Sequence, residues 1–302
     1  MSTRIVSIGS GKGGVGKSFV VSSLGITLTK LGQSVLLIDL DFSGPNLHTS
    51  LGEAPRAHNI DMFFSGQSKL ADLVHTSMFP RLSFIQGTAS PGERTIADVR
   101  RLIEECRTLP FNEILFDLGP GSQEVYLELM KLSDERMFVT TPEPPCIEKN
   151  YRLIENYLLY SIRKDDSPVH LKELKTALEQ YRKVHSPGQI TFREFLMNQT
   201  GWTWPKDHPA FLNPIRLIVN QTRAEADLDL GPSIRLVCHH YFDFCIDFLG
   251  SLQYDNAVWQ SFRDCEPMLH KHPFSPLAGQ FLKMSRRLLS DELHGNPLRA
   301  VI

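Results

Sequence analysis

Several things are scarce in this sequence, and each shortage excludes a class of protein. No apolar run approaches the roughly 20 residues that a membrane-spanning helix needs, and the chain enters an apolar strand at once, with no charged-then-apolar leader before it. Cysteine is sparse: Cys106, Cys146, Cys238, Cys245 and Cys265 are scattered, odd in number and never spaced C-x-x-C. Reduced thiols in a cytosolic protein are therefore expected, rather than a disulfide framework, a structural zinc or an iron–sulfur site. An excess of either charge is missing too. The 32 Lys+Arg and 34 Asp+Glu leave a formal net charge of −2, so nonspecific nucleic-acid binding has no electrostatic basis. There is no internal repeat and no low-complexity tract. What remains is an ordinary globular composition, at a length that allows one large domain or two small ones.

One stretch organises the rest: Ile5-Val-Ser-Ile-Gly-Ser-Gly-Lys-Gly-Gly-Val-Gly-Lys-Ser18. It reads as a buried strand, a glycine-rich turn and the start of a helix. Residues Gly11 to Ser18 fit G-x-x-x-x-G-K-[ST], the phosphate-binding P-loop, in the strand–turn–helix setting the motif needs. Gly13, Gly14 and Gly16 lack a Cβ, so the backbone can take positive φ and turn its N–H groups onto phosphate oxygens. The helix beginning near Lys17 adds the positive end of its dipole. Lys17 is expected to reach the β- and γ-phosphates and the Ser18 hydroxyl to ligate Mg²⁺. The backbone from Gly11 through Val15 to Phe19 would complete the nucleotide-binding loop. A turn that merely tightens a βα corner would not need four glycines and a Lys-Ser pair.

Further along, Ser34–Ile38, Leu82–Ile85, Glu113–Gly121, Glu135–Thr140, Ile215–Val219 and Ile246–Leu249 read as strands. Helical periodicity appears at 17–31, 96–109, from 147 onward, at 171–184, 190–197 and 276–289. Strands alternating with helices predict an α/β, doubly wound, mostly parallel sheet. The alternation breaks between 161 and 211, read as a helical insert within a single domain spanning 1–302, because it is too short for a core of its own. Residues 290–302 read as a polar tail. Two strands end in acids. Asp117 fits a Walker B acid that holds Mg²⁺, and Gly119-Pro-Gly121 behind it would form a loop sensing the γ-phosphate. Asp39 and Asp41, two apart, share one face of an extended chain at the carboxyl end of their strand, where ligand crevices of open α/β sheets lie.

A second lysine inside the loop, Lys12, gives Lys-Gly-Gly-Val-Gly-Lys-Ser. This resembles the deviant P-loop of the MinD/ParA family of ATPases. The resemblance implies that Lys12 reaches across to a partner subunit's nucleotide in an ATP-sandwiched homodimer; a solvated loop lysine is the alternative. It also implies that Asp41 positions the attacking water and that Asp39 belongs to the Mg²⁺ hydration shell. Asn220-Gln-Thr-Arg223 lacks the carboxylate that a guanine reader would need at its fourth position. It is similar to the family's Asn-x-x-Arg, with Asn220 reading adenine beside Arg223, so ATP is expected over GTP. Within the family, Asp39–Thr49, Phe116–Gly121, Thr141–Pro144 and Tyr254–Ser261 resemble the FlhG/FleN group, regulators of flagellar number and placement. Phe19 departs from the small hydroxyl residue many relatives carry there. Gly44-Pro-Asn46 resembles the signature of GPN-loop GTPases, but their P-loop lacks Lys12, and the triplet is treated as a decoy.

The resemblance thus implies a slow ATP hydrolase that dimerises with ATP and Mg²⁺ and regulates spatial positioning through an unidentified protein partner or activator. A ParA-like DNA-partitioning ATPase is the alternative, with nucleic acid disfavoured by the charge. A nucleotide-gated binding module, docking through Trp202 and Trp204, is another. A metal-cluster carrier of the Mrp type would need a close cysteine pair. The segment Phe281–Leu289 has Phe281, Leu282, Leu288 and Leu289 on one face with Lys283, Arg286 and Arg287 beside them. Packing of this helix on the core is the preferred reading, and weak peripheral attachment to the inner face of the cell membrane is the alternative.

Overall fold

Continuous apolar runs become the inner strands of one sheet. The computed structural model describes residues 3–89, 94–163, 167–184, 190–204 and 214–293. Among these, eight strands pair in the order β3-β4-β2-β5-β1-β6-β7-β8. They are β1 Arg4–Ser10, β2 Val35–Leu40, β3 His75–Thr76, β4 Leu82–Ile85, β5 Glu113–Pro120, β6 Glu135–Thr140, β7 Ile215–Thr222 and β8 Ile246–Gln253. All neighbours run parallel except the two-residue β3 against β4. Helices cover both faces, which is why the inner strands are apolar without alternation. The doubly wound α/β sheet expected from the sequence is the observed one.

The alternate residues of each strand divide the core in two. Val6, Ile8, Leu37, Leu115 and Val139 face a cluster completed by α1 Lys17–Lys30 and by the last helix, Pro276–Leu293. Ile5, Leu36, Ile38, Phe116 and Phe138 face the other, built with α4 Ile96–Cys106, α5 Glu124–Leu132 and α6 Pro144–Ile162. Between α1 and α4 lie two short helices, α2 Leu47–Ser50 and α3 Ile60–Phe64. The register of β2 on β5 matters most for function: Asp39 stands directly opposite Asp117. At the other end of the sheet a buried Arg4–Glu113 ion pair joins β1 to β5, and Arg4 also donates to the Leu288 carbonyl at 3.1 Å.

The segment expected as an insert forms α7 Pro168–Val184 and α8 Phe192–Thr200, the latter opened by a Thr191/Glu194 capping box and closed by Gly201 in the left-handed conformation. Leu174, Leu178, Tyr181, Phe192, Phe195 and Trp204 belong to the same cluster as the sheet. This corrects the docking role given to Trp204, which is 2% exposed and packs near Phe192; Trp202 is half-buried with its ring against His170. Four helices follow or precede the last strand: α9 Leu230–Phe242, α10 Asn256–Asp264, α11 Met268–Lys271 and α12 Pro276–Leu293. On α12, Phe281 and Leu288 are buried, while Lys283 and Arg286 are exposed and Arg287 pairs with Asp247. Its apolar face is spent on the core, as the preferred reading had it. Among the described residues no helix is long and apolar enough to cross a membrane. The polar tail expected from residue 290 begins later, since α12 continues through 290–293; residues from 294, the end of the Gly87–Gly92 loop and residues 205–213 lie outside the described residues.

Trp204→Ala should destabilise the protein by about 3–5 kcal/mol in urea denaturation. Trp202→Ala, on a half-exposed side chain, should cost under about 1.5 kcal/mol.

Candidate nucleotide-binding site

The loop between β1 and α1 is shaped by close approaches as much as by backbone freedom. Gly14 and Gly16 both sit at φ 82°, in the left-handed region that favours glycine; Gly13, also expected there, does not. Gly16 is the N-cap of α1, which has no side-chain cap and no acid in its first turn. Its first N–H groups are therefore left for an anion. A Cβ on Gly16 would come within 2.4 Å of Asn220 Nδ2, and one on Gly11 within 2.3 Å of the Lys149 backbone on α6. At Gly11 the obstacle is backbone, and at Gly16 it is the Asn220 amide added to a left-handed φ. Phe19, next along α1, turns its ring to Phe262 and Phe281, 6.4 and 5.6 Å away.

Beneath the loop lies a buried group of charges. Lys17 Nζ donates to Asp117 Oδ1, with Lys17 almost buried and Asp117 wholly so. Asp117 Oδ2 is buried and has no hydrogen-bond partner among the described residues. Asp39, opposite, accepts from the Asp41 and Leu47 backbone amides at 3.1 and 3.0 Å. Burial, reinforced by the Asp117 carboxylate, pushes Asp39 up to about 7. Burial raises Asp117 as well, against the pull of the Lys17 ammonium. Two carboxylates thus face one ammonium, and the nearby Ser18 hydroxyl, like Lys17, works against the rise at Asp117. Hard oxygen donors, one of them unpartnered, fit Mg²⁺, which is held by one or two carboxylates together with substrate phosphate and water.

Above this group opens a cleft of about 190 Å³, lined by the loop from Gly13 to Phe19 and by Ser10, Asp41, Asn46, Pro120 and Phe262. Asp41 is half-exposed, and its Oδ1 accepts from Ser43 Oγ at 2.6 Å and from the Ser43 and Gly44 amides at 3.0 and 3.1 Å. Lys12 is half-buried and makes no ion pair or hydrogen bond through its ammonium among the described residues. Gly11, Lys12, Asp39, Asp117, Asn220 and Arg223 do not line the cleft. Asn220 is buried and donates to the Val15 carbonyl at 2.8 Å, bracing the loop from behind. Arg223 is exposed and lies 4.0 Å over the Tyr254 ring. Sequence reasoning missed Asn46 and Phe262 as lining residues, whereas Pro120 belongs to the Gly119–Gly121 loop expected beside the γ-phosphate. Asn46 lies in the triplet set aside as a decoy, and Phe262 directly follows the Tyr254–Ser261 stretch.

A strand, a glycine loop and a helix whose lysine pairs with an acid on the neighbouring strand define a P-loop nucleoside-triphosphate-binding protein. A family model described as ParA: NUBPL iron-transfer P-loop NTPase matches residues 2–155, about half of the chain. The chain belongs to this ParA/MinD family of P-loop NTPases. The septum site-determining protein MinD of Thermotoga maritima is 31% identical over 162 residues, 51% of this chain and 59% of that protein. MinD of Synechocystis sp. is 30% identical over 160 residues, 50% and 58%. The chain thus spans little more than half the length of the curated relatives it matches. Among solved structures, MinD from Pyrococcus horikoshii complexed with Mg-ADP superposes with TM-score 0.65 at 21% identity, covering 97% of this chain and 98% of that one. Apo McdA from Cyanothece gives 0.65 at 15% identity over 95% and 99%. At these identities the structures establish the fold.

Unfolded Asp39 ionises near 4 and folded Asp39 near 7, so between them the folded state keeps a proton that the unfolded state has released. Its contribution to stability falls as pH rises through that window and is flat above it. The stability difference between wild type and Asp39→Ala, without nucleotide, should therefore move in the variant's favour by about 1–4 kcal/mol from pH 4.5 to 8. Urea denaturation at the two pH values checks this.

Proposed function

We propose that this protein is a Mg²⁺-dependent ATP hydrolase that works as a dimerising switch, in the manner of MinD-like regulators of spatial positioning such as the FlhG group. The observation that carries the reading is the pair of loop lysines. Lys17 is committed to Asp117, whereas Lys12 has an ammonium with no partner among the described residues. A cation left unpaired beside a phosphate site is suited to a second subunit's nucleotide. The α1 N-terminus and the loop amides would hold the phosphates, and Lys17 would swing from Asp117 to the β- and γ-phosphates. Ser18 and Asp117 would hold Mg²⁺, with Asp39 behind them in its hydration shell. Bound there, Mg²⁺ supplies neutralisation of phosphate charge. Asp41 orients the attacking water once it gives up its own turn. The rest is positioning and electrostatics, which phosphoryl transfer chiefly requires.

Support comes from the neighbours named with nucleotide: MinD with Mg-ADP and a McdA variant with ATP, TM-score 0.63 at 14% identity over 97% of both chains. The MinC:MinD complex of Aquifex aeolicus, TM-score 0.64 at 19% identity over 95% and 96%, supports a protein partner. A cytoplasmic switch of this kind would exchange partners as ATP is hydrolysed. The family's iron-transfer description favours a second reading, cluster carriage. Of the five cysteines, however, Cys106, Cys146 and Cys238 are buried, Cys245 is half-buried and only Cys265 is exposed, a poor arrangement for handing a cluster between proteins.

Asp41→Ala should lower ATP turnover by about 10²-fold or more while ATP affinity stays within a few-fold. Lys12→Ala should likewise keep monomer nucleotide binding and lose turnover together with ATP-dependent self-association. Phosphate release and fluorescent-nucleotide titration read the two quantities separately. An Asp41→Ala protein with wild-type turnover removes the water-positioning role, and stable absorbance near 400 nm after anaerobic reconstitution with iron and sulfide would favour cluster carriage.

A further inference from the structure

Two buried asparagines flank the glycine loop, and one of them is unsatisfied. Asn220, against Gly16, donates to the Val15 carbonyl at 2.8 Å. Asn150, on α6, stands against the other end: a Cβ on Gly11 would meet its backbone nitrogen at 2.5 Å. Asn150 is 1% exposed, and its Nδ2 and Oδ1 are both buried with no hydrogen-bond partner among the described residues. The stripe of α6 that carries it runs through Cys146, Asn150, Leu153 and Ile154. Cys146 packs in the cluster on the α1 face of the sheet, and Leu153 and Ile154 pack in the other. Asn150 therefore sits between the two clusters, where α6 touches the loop that leaves β1.

A side-chain amide can both donate and accept. Burying one without partners costs free energy that an apolar side chain of the same shape does not. Packing alone would favour leucine here, so the empty protein carries an amide that it does not use. A backbone group beside it can. The Ser10 carbonyl already accepts from the Gly121 N–H at 2.8 Å, and Ser10 Oγ donates to the Lys12 carbonyl at 3.0 Å; the peptide between them joins Gly11 to Lys12. We propose that Asn150 is a positioning residue for Lys12: with nucleotide in the cleft, the Gly11 carbonyl and the Lys12 N–H settle onto the buried amide, and these bonds fix where Lys12 points. The phosphate-facing part of the loop, from Gly14 on, is already shaped, and the Gly11–Lys12 end is the part left to close. The proposal rests on the reading of the cleft as a nucleotide site; the unsatisfied amide does not.

Asn150→Leu keeps the branching of the side chain and removes both polar atoms. Without nucleotide its melting temperature should rise by about 1–3 °C, while affinity for fluorescent ADP and ATP analogues falls about tenfold. Its ATP-dependent self-association should weaken by a similar factor, measured with nucleotide saturating. Asn150→Ala, which cannot overpack the site, should lose the same affinity whatever its own stability. A side chain that merely holds the fold would do the reverse. A lowered melting temperature of Asn150→Leu with unchanged affinity would show an amide already satisfied in the empty protein and would overturn the proposal. Wild-type affinity in Asn150→Ala would overturn it even where the leucine variant does not fold, and unaltered self-association would remove the tie to Lys12. A wild type that binds neither nucleotide overturns the reading of the cleft; a wild type that binds, beside variants that bind equally well, overturns only the role of Asn150.

Discussion

The Lys17–Asp117 ion pair, set beside Asp39 under the glycine loop, is the interaction on which the rest of the site depends. A buried pair of this kind is a weak device for stability, because desolvation offsets most of the Coulomb attraction. Here the balance is worse than neutral: two carboxylates share one ammonium, one oxygen of Asp117 has no partner among the described residues, and Asp39 is driven toward its protonated form. Such an arrangement is poised rather than satisfied. On the proposed reading a divalent cation and a polyphosphate together would correct it, the cation by completing the acids and the phosphates by drawing Lys17 away. On that reading the unbalanced charge would make the site responsive to its ligand.

The scaffold keeps that cluster in place through register and close contact. Parallel pairing of β2 with β5 puts Asp39 opposite Asp117, and β5 on β1 brings Pro120 level with Ser10 at the mouth of the loop. Gly11 lets α6 approach from one side and Gly16 lets Asn220 approach from the other. The loop is therefore held by its surroundings and contributes its N–H groups already in place, which is the preorganisation that electrostatic catalysis needs.

Most of this was legible in the chain before any coordinates. The P-loop declares itself because its chemistry dictates residue types at fixed spacing, and buried parallel strands declare themselves by unbroken apolar runs. Asp117 follows from both. What escaped was whatever depends on distant residues meeting. The helices α5, α9 and α10 were not singled out, and Asn46 and Phe262 enter the cleft through tertiary packing that no local pattern encodes. Asn220 carried a motif-like signal, but its bond to the Val15 carbonyl spans two hundred residues of sequence. Trp204 misled because a tryptophan in an irregular stretch resembles a surface anchor until its burial is known. Gly13 shares its neighbours' composition without their backbone conformation, so glycine alone did not distinguish freedom from need.

The central claim is that ATP, and not ADP, joins two copies of this chain. Light-scattering mass of the Asp41→Ala protein, in ADP and then in ATP with Mg²⁺, tests it most directly. The account predicts the 34.2 kDa monomer with ADP and about twice that mass with ATP. The same mass in both nucleotides, with binding of each verified, would contradict it.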